Sequence, residues 1–318
     1  MTENCVLGDG HMVELVLLSL LGWSLTYWAI DELTDGGSGG GGGAPEGAGD
    51  DSFDTSASTD PQTIRGYGGN DSILTGDGND SLQGDSGADS ITSAGGDDTI
   101  WGGLGEDLID AGPGNNEVDA GFGDDTVVAG TGNDTVRGGD GNDSIGSTGG
   151  DDRFYLEEGD DTGLSLGGQA LINGGQGDDL LAALDTEFSG TTALAGAADT
   201  LVGGGGNDTL SGDDGDIMTG DTGADSFQVF VEADPNGGGN SNIEVVTVTD
   251  FNPAEDVLRI FTDVTPTPVF ADLTFTEVGT PTAVVVAVPG ATGLEMVRLE
   301  NTSASALTAS NVFISAAS

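Results

Sequence analysis

Between Gly66 and Leu164 one large apolar residue recurs at every ninth position: Ile73, Leu82, Ile91, Ile100, Ile109, Val118, Val127, Val136, Ile145 and Phe154. The next place in the series is Gly163. The residues on either side are mostly Ser, Thr or other polar types, and the six before each short run are mainly Gly, Asp and Asn. An apolar residue between two polar ones is the inward position of a very short strand. Gly, Asp and Asn tolerate the positive φ of tight turns. Each nine-residue unit therefore predicts a turn followed by a strand. Because a turn follows every strand, successive units fall on opposite sheets, and two units close one coil of a parallel β-roll. One apolar side chain in nine makes no core alone, but stacked units bury the whole series together.

The register is strict. Glycine holds the fourth position of all eleven units, at Gly69, Gly78, Gly87, Gly96, Gly105, Gly114, Gly123, Gly132, Gly141, Gly150 and Gly159. Aspartate holds the sixth in all but one, where Asn116 stands. Gly163 lacks the core side chain, and Leu156 and Glu157 replace the two small residues that open the eleventh unit, so the roll is expected to loosen after about Tyr155. Residues 165–173 read as an extra stretch that breaks the register. A good unit resumes at Gly174–Ala182, and a degenerate stretch runs from Ala183 to about Ala198. Units follow at Gly203–Ser211, Gly212–Thr219 (eight residues) and Gly220–Gln228. This block reads as the roll continuing past a bulge or loop between 183 and 200.

Charge adds the chemistry. The 318 residues include 56 acidic and 5 basic ones, all arginine, for a net charge of −51. Binding nucleic acid through its phosphates needs a basic patch that this chain lacks. Cys5 is the only cysteine and His11 the only histidine, which excludes a disulfide framework and a cysteine-rich zinc site. Composition alone would equally suit a disordered acidic chain; the nine-residue register decides for a fold. In that fold the sixth-position aspartates of alternate units line up at the ~4.8 Å spacing of neighbouring strands. Asp71, Asp89, Asp107, Asp125, Asp143 and Asp161 form one row; Asp80, Asp98, Asp134 and Asp152 form the other. Carboxylates that close repel strongly, and there is no lysine to separate them. A hard divalent cation with oxygen ligands answers the problem. Calcium, with six to eight carboxylate and carbonyl oxygens in flexible geometry, suits glycine-rich turns better than magnesium does.

Units such as Gly203-Gly204-Gly205-Gly206-Asn207-Asp208-Thr209-Leu210-Ser211 resemble the RTX nonapeptide, Gly-Gly-x-Gly-x-Asp-x-U-x with U large and apolar. That resemblance implies an all-β fold: a right-handed parallel β-roll (β-helix) with several calcium ions held between the turns of successive coils. It implies that the sixth-position aspartates are calcium ligands, a role that extends to Asp179, Asp208 and Asp225. It also implies export from a bacterium through a type I secretion channel by an uncleaved C-terminal signal. The calcium-binding roll is assigned to residues 63–230 and the C-terminal region to 231–318. There Ile243–Phe251, Leu273–Val278, Ala283–Val288 and Leu294–Leu299 read as strands. With the pattern Asp250-Phe251-Asn252-Pro253-Ala254-Glu255-Asp256-Val257-Leu258, they resemble the small β-sandwich-like cap of serralysin-type proteins. The tail from Arg298 to Ile314 resembles their export region.

At the other end, residues 1–33 hold a hydrophobic helix candidate, Met12 to Ile30, with Glu14 its one charge. Its length approaches a membrane span. A membrane anchor or interfacial helix, a buried or partner helix and a poor signal sequence all stay open for it. Residues 34–62 read as a Gly/Ser/Asp-rich linker.

No His-Glu-x-x-His and no Gly-x-Ser-x-Gly occurs, and the abundant carboxylate pairs belong to the turns. With tail, linker and roll assigned, no residues remain for a catalytic domain, so no enzyme is expected. Outward positions on alternate strands include Trp101, Arg137 and Tyr155, which could stack on sugars or be ordinary scattered surface side chains. Three readings follow: an exported calcium-binding surface or extracellular protein, a polysaccharide-binding adhesin or matrix module, and a secreted enzyme with an unrecognised site.

Overall fold

The computed structural model describes residues 49–184, 198–213, 215–231, 245–262, 269–278, 283–287 and 297–316. The helix expected within residues 1–33 lies outside them. Among the described residues no helix is long and apolar enough to cross a membrane.

Two sheets face each other. Successive strands alternate between them, as the turn-then-strand unit requires. Sheet I begins with Thr63–Gly68, Ser81–Ser86 and Thr99–Leu104; sheet II begins with Ser52–Thr55, Ser72–Thr75 and Ser90–Thr92. From Thr63 to Leu184 the neighbours within each sheet are parallel, and residues pair eighteen places apart, as Ile73 with Ile91 and Ile100 with Val118. Eighteen residues are two units, so one coil contributes one strand to each sheet. The eighth-position side chains point between the sheets. None from Ile73 to Phe154 is more than 1% exposed, and Ile172, Leu181, Leu201, Leu210, Met218 and Phe227 continue the same column. Each such side chain is worth about 1.5–3 kcal/mol of burial. The roll is thus held by a column one or two side chains wide, plus backbone ladders.

The structure changes three expectations. First, the roll does not loosen after Tyr155. Leu156 is fully buried, and a β-carbon built on Gly163 would lie 3.2 Å from its Cδ1. The large side chain has moved from the eighth position to the first, and fills the space that Gly163 leaves. Second, residues 165–173 are not an insertion. They form a unit in register: Gly168 stands fourth with φ +89, Ile172 is fully buried in eighth place, and Leu171–Gln176 pairs regularly with Arg153–Glu158. Ala170 occupies the place of the aspartate, which hides the unit. Third, Ser52–Thr55, inside the segment read as linker, already pairs in parallel with Ser72–Thr75.

The C-terminal region was expected to form a small β-sandwich-like cap; its strands instead lengthen the two sheets of the roll. Val246–Val248 and Val297–Glu300 extend sheet I in parallel, then Ala283–Ala287 and Thr274–Val278 add antiparallel strands at its end. Val257–Thr262 and Val312–Ala316 extend sheet II. The core column runs on through Val248, Leu258, Ile260, Val284, Val286 and Leu299, so this region is continuous with the roll. Phe251 of the Asp-Phe-x-Pro pattern is buried with its ring 6.1 Å from that of Phe227.

Candidate metal centre

Two edges join the sheets. At the first edge, turns lead from sheet I to sheet II and carry Asp71. At the second they lead back and carry Asp80. The turns are dictated by glycine. At the fourth position Gly105 has φ +129, and a β-carbon there would overlap the Gly87 carbonyl oxygen one coil below. Coils can stack at strand spacing only if that atom is missing.

The aspartates line up as expected. At the first edge the backbone N–H of Asp71 donates to Oδ1 of Asp89 (2.7 Å), Asp89 to Asp107 (2.8 Å), Asp107 to Asp125 (2.7 Å), Asp125 to Asp143 (2.9 Å), Asp143 to Asp161 (2.7 Å) and Asp161 to Asp179 (2.9 Å). The row continues from Asp179 to Asp208 and on to Asp225. At the second edge Asp80 donates to Asp98, Asp98 to the Asn116 amide oxygen, Asn116 to Asp134 and Asp134 to Asp152.

Sequence reasoning missed three members. Ala170 N–H donates to Asp199, Asp199 to Asp216, and Asp225 to Asp256. The surviving signal was the tetrad Asp-x-U-x at Asp199–Val202, Asp216–Thr219 and Asp256–Arg259. The glycine part was lost before Asp199 and Asp256, and shortened by one residue before Asp216. A second ladder was also missed. Fifth-position side chains accept from the next coil in the opposite sense, as Asn142 N–H to Asp124 and Asp160 N–H to Asn142, both 2.8 Å.

One oxygen of each row aspartate is thus used. In Asp216 and Asp256 the other accepts as well, from the Asp213 and Asn252 N–H; in twelve of the others it does not. Oδ2 of Asp71, Asp89, Asp107, Asp125, Asp143, Asp161, Asp179 and Asp208 at the first edge, and of Asp80, Asp98, Asp134 and Asp152 at the second, is buried without a hydrogen-bond partner. Of the expected ligands only Asp225 is not among them. These side chains are at most 3% exposed, so bulk solvent does not reach these oxygens, and leaving a charged oxygen without a partner is costly. None of the arginine ion pairs among the described residues involves a row aspartate.

Burial pushes Asp107 and Asp143 up to about 6, Asp125, Asp134 and Asp179 up to about 7, and Asp161 up to about 8. Neighbouring carboxylates add to the rise; a backbone N–H opposes it in each, and at Asp134 the Asn116 side chain does so too. Desolvation is the larger cause in each.

The space beside Oδ2 is lined by oxygen. A β-carbon on Gly84 would overlap Asp89 Oδ2 and lie 2.7 Å from the Gly102 carbonyl oxygen; on Gly174 it would meet Asp179 Oδ2 and the Gly203 carbonyl in the same way. At these first-edge turns a carboxylate oxygen and a carbonyl of the next coil converge on the bare face of the first-position glycine; the second edge has Thr75, Ser93, Ala111, Ala129, Ser147 and Ser165 in that place. No group of three His, Cys, Asp or Glu side chains forms a metal cluster among the described residues; what the turns offer an ion is one carboxylate each plus backbone carbonyls. Hard oxygens in a flexible turn fit calcium and offer nothing to a soft metal.

Trp101, Arg137 and Tyr155 all lie on the outward face of sheet I, in one row with Gln83, Asp119 and Asn173. Arg137, Tyr155, Glu157, Asn173 and Thr135 line an open groove of about 340 Å³.

A family model for the RTX calcium-binding nonapeptide repeat (4 copies) matches residues 56–91, 83–118, 92–127, 119–154, 128–163 and 195–227. No curated protein matches. Among solved structures the chain is similar to the AlgE6R3 subunit from the Azotobacter vinelandii mannuronan C5-epimerase, a solution structure, at 22% identity and a TM-score of 0.32. That match covers 46% of this chain and 77% of the other. Residues 56–163 and 195–227, which carry the strand, the glycine turn and most of the aspartate rows, are thus similar to RTX calcium-binding nonapeptide repeats.

Proposed function

We propose that the protein is an exported, non-enzymatic calcium-binding protein whose folding is switched on by calcium outside the cell. The observation that carries this reading is the buried, partnerless Oδ2 repeated along both edges. Without an ion, every added coil buries another carboxylate oxygen beside a carbonyl. A chain of net charge −51 is then kept expanded by self-repulsion, which suits passage through a secretion channel. Calcium, when bound, supplies the positive charge and coordination those oxygens lack, so binding free energy becomes folding free energy. The row aspartates hold the ion, Oδ1 keeps the coils in register, and the first-position glycines leave room.

Extracellular calcium modules bind at about 10⁻⁴–10⁻³ M, which matches a step from cytosol to exterior. The C-terminal region, similar in pattern to serralysin-type proteins, would carry the export signal. Calcium titration of the full chain by circular dichroism tests the reading. A cooperative gain of β signal near millimolar calcium, absent with magnesium, is expected. A chain already folded in chelator would overturn it.

A second reading rests on the sheet I row. Tyr155 offers a stacking face beside the hydrogen-bonding groups of Arg137, Glu157 and Asn173, with Trp101 further along the same row. That is the chemistry of a site for a polysaccharide chain lying across the strands. Retention on immobilised polysaccharide that disappears in Trp101→Ala and Tyr155→Ala would support it. Equal retention of parent and variants would remove it.

A further inference from the structure

The two edges are not equivalent. The first carries an unbroken line of aspartates from Asp71 to Asp256, eight of them with a buried, partnerless Oδ2. The second has four such oxygens and is interrupted twice, by Asn116 and by Ala170.

Asn116 is more than a gap. Its Oδ1 accepts the Asp98 N–H at 3.1 Å, so it holds its place in the ladder as an aspartate does. Its Nδ2 donates to the carbonyl oxygens of Gly112 at 3.2 Å and Ala129 at 3.3 Å. Ala129 opens the unit one coil further along the same edge. It corresponds to Gly102 beside Asp89, where the carbonyl oxygen faces Oδ2 and both are acceptors. At Asn116 one acceptor has been exchanged for a donor, and the side chain is 2% exposed.

We infer that the Asn116 amide takes the place of the cation at its own turn, so that the turn within residues 111–119 closes onto Ala129 without calcium and the second edge takes up fewer ions than the first. This rests on the calcium-dependent reading of the rows above and adds an order to it. One turn is set in register before any ion arrives, while Asp125 and Asp134, each with a buried, partnerless Oδ2, still need calcium. Propagation from there needs calcium, chiefly along the first edge. A pre-set turn lowers the cost of ordering the first coil, which must form before any neighbour stabilises it.

The test uses the full chain, with calcium uptake measured by equilibrium dialysis and amide hydrogen exchange measured in calcium-depleted buffer. Two variants are compared with the parent: Asn116→Asp, which restores the carboxylate, and Asp143→Asn, which places an amide in the unbroken row. The expected result is stronger protection of residues 111–119 than of residues 66–92 in the calcium-free parent. Asn116→Asp loses that protection and binds more calcium per chain. Asp143→Asn binds less calcium and gains protection around its own coil. If the parent folds on calcium addition but Asn116→Asp matches it in both uptake and exchange, this inference falls while the calcium switch stands. If the parent takes up no calcium, both fall.

Discussion

Leu156 and Gly163 have exchanged the usual roles of the first and eighth positions, and the exchange has a measurable energy. In the unit Ala120–Val128, two coils earlier, the first residue is small and the eighth is Val127, both fully buried. In the unit 156–164 the order is reversed. Leu156→Ala removes a fully buried side chain, and its neighbour Gly163 has nothing to fill the void. The cost falls in the upper part of the about 2–5 kcal/mol range for such changes. Gly163→Val alone overpacks: a β-carbon already lies 2.9 Å from Ile172 Cγ2, 3.2 Å from Leu156 Cδ1 and 3.5 Å from Leu181 Cδ2. That strain costs about 1–3 kcal/mol. The double variant restores the Ala120/Val127 arrangement, so it should lose less than the sum of the single changes, by roughly 1–3 kcal/mol. Urea denaturation of all four proteins at one saturating calcium concentration gives the cycle. Additivity to within about 0.5 kcal/mol would refute the idea that one side chain substitutes for the other.

The other predictions concern turns and charge. Gly105→Ala combines a positive φ with overlap onto the Gly87 carbonyl, and should destabilise the roll by about 3 kcal/mol or more; an unchanged urea midpoint in calcium would contradict the stacking argument. Asp107→Ala removes both the acceptor for Asp89 N–H and one partnerless Oδ2 at the first edge, and should raise the calcium midpoint and lower the Hill slope. The same midpoint and slope as the parent would show that Asp107 is not a ligand. The pH dependence without metal should be inverted. Asp125, Asp134 and Asp179 at about 7 and Asp161 at about 8 lie above the ordinary carboxylate value of about 3.9, so the folded chain binds more protons than the unfolded one in that window. Stability of the calcium-free roll should rise as pH falls from about 8 towards about 4. A thermal midpoint that drops over this range would refute the burial of those carboxylates.

What could be read from the sequence was whatever repeats. The register of Gly105 and its equivalents gives the turns, the eighth-position series gives the core, and alternation of units gives both aspartate rows before any coordinates. What escaped were positions where a contact survives without its motif. Ala170 hides a unit because the carboxylate, its most visible residue, is missing, although Gly168 and Ile172 hold the geometry. Asp199, Asp216 and Asp256 keep the ladder bond with damaged or missing glycines before them. Whether Asn116 is a lost ligand or a donor depends on the Gly112 and Ala129 carbonyls, whose placement a linear pattern does not contain. The C-terminal strands were visible as β-branched runs, but their pairing was not. A short apolar strand fits a separate sandwich as well as the end of a roll, and the continuous column from Phe227 through Leu258 to Val312 decides for the roll.

The central claim is that calcium supplies what the buried Oδ2 atoms lack. The most direct test is the thermal midpoint of the full chain across calcium concentrations from chelator to tens of millimolar, at constant ionic strength. A ligand bound only by the folded chain stabilises it in proportion to the logarithm of its concentration and to the number of ions taken up. The account predicts a steep, continuing rise with a slope of several ions per chain, and no comparable rise with magnesium. A midpoint that stays flat, or that follows magnesium equally, would contradict it.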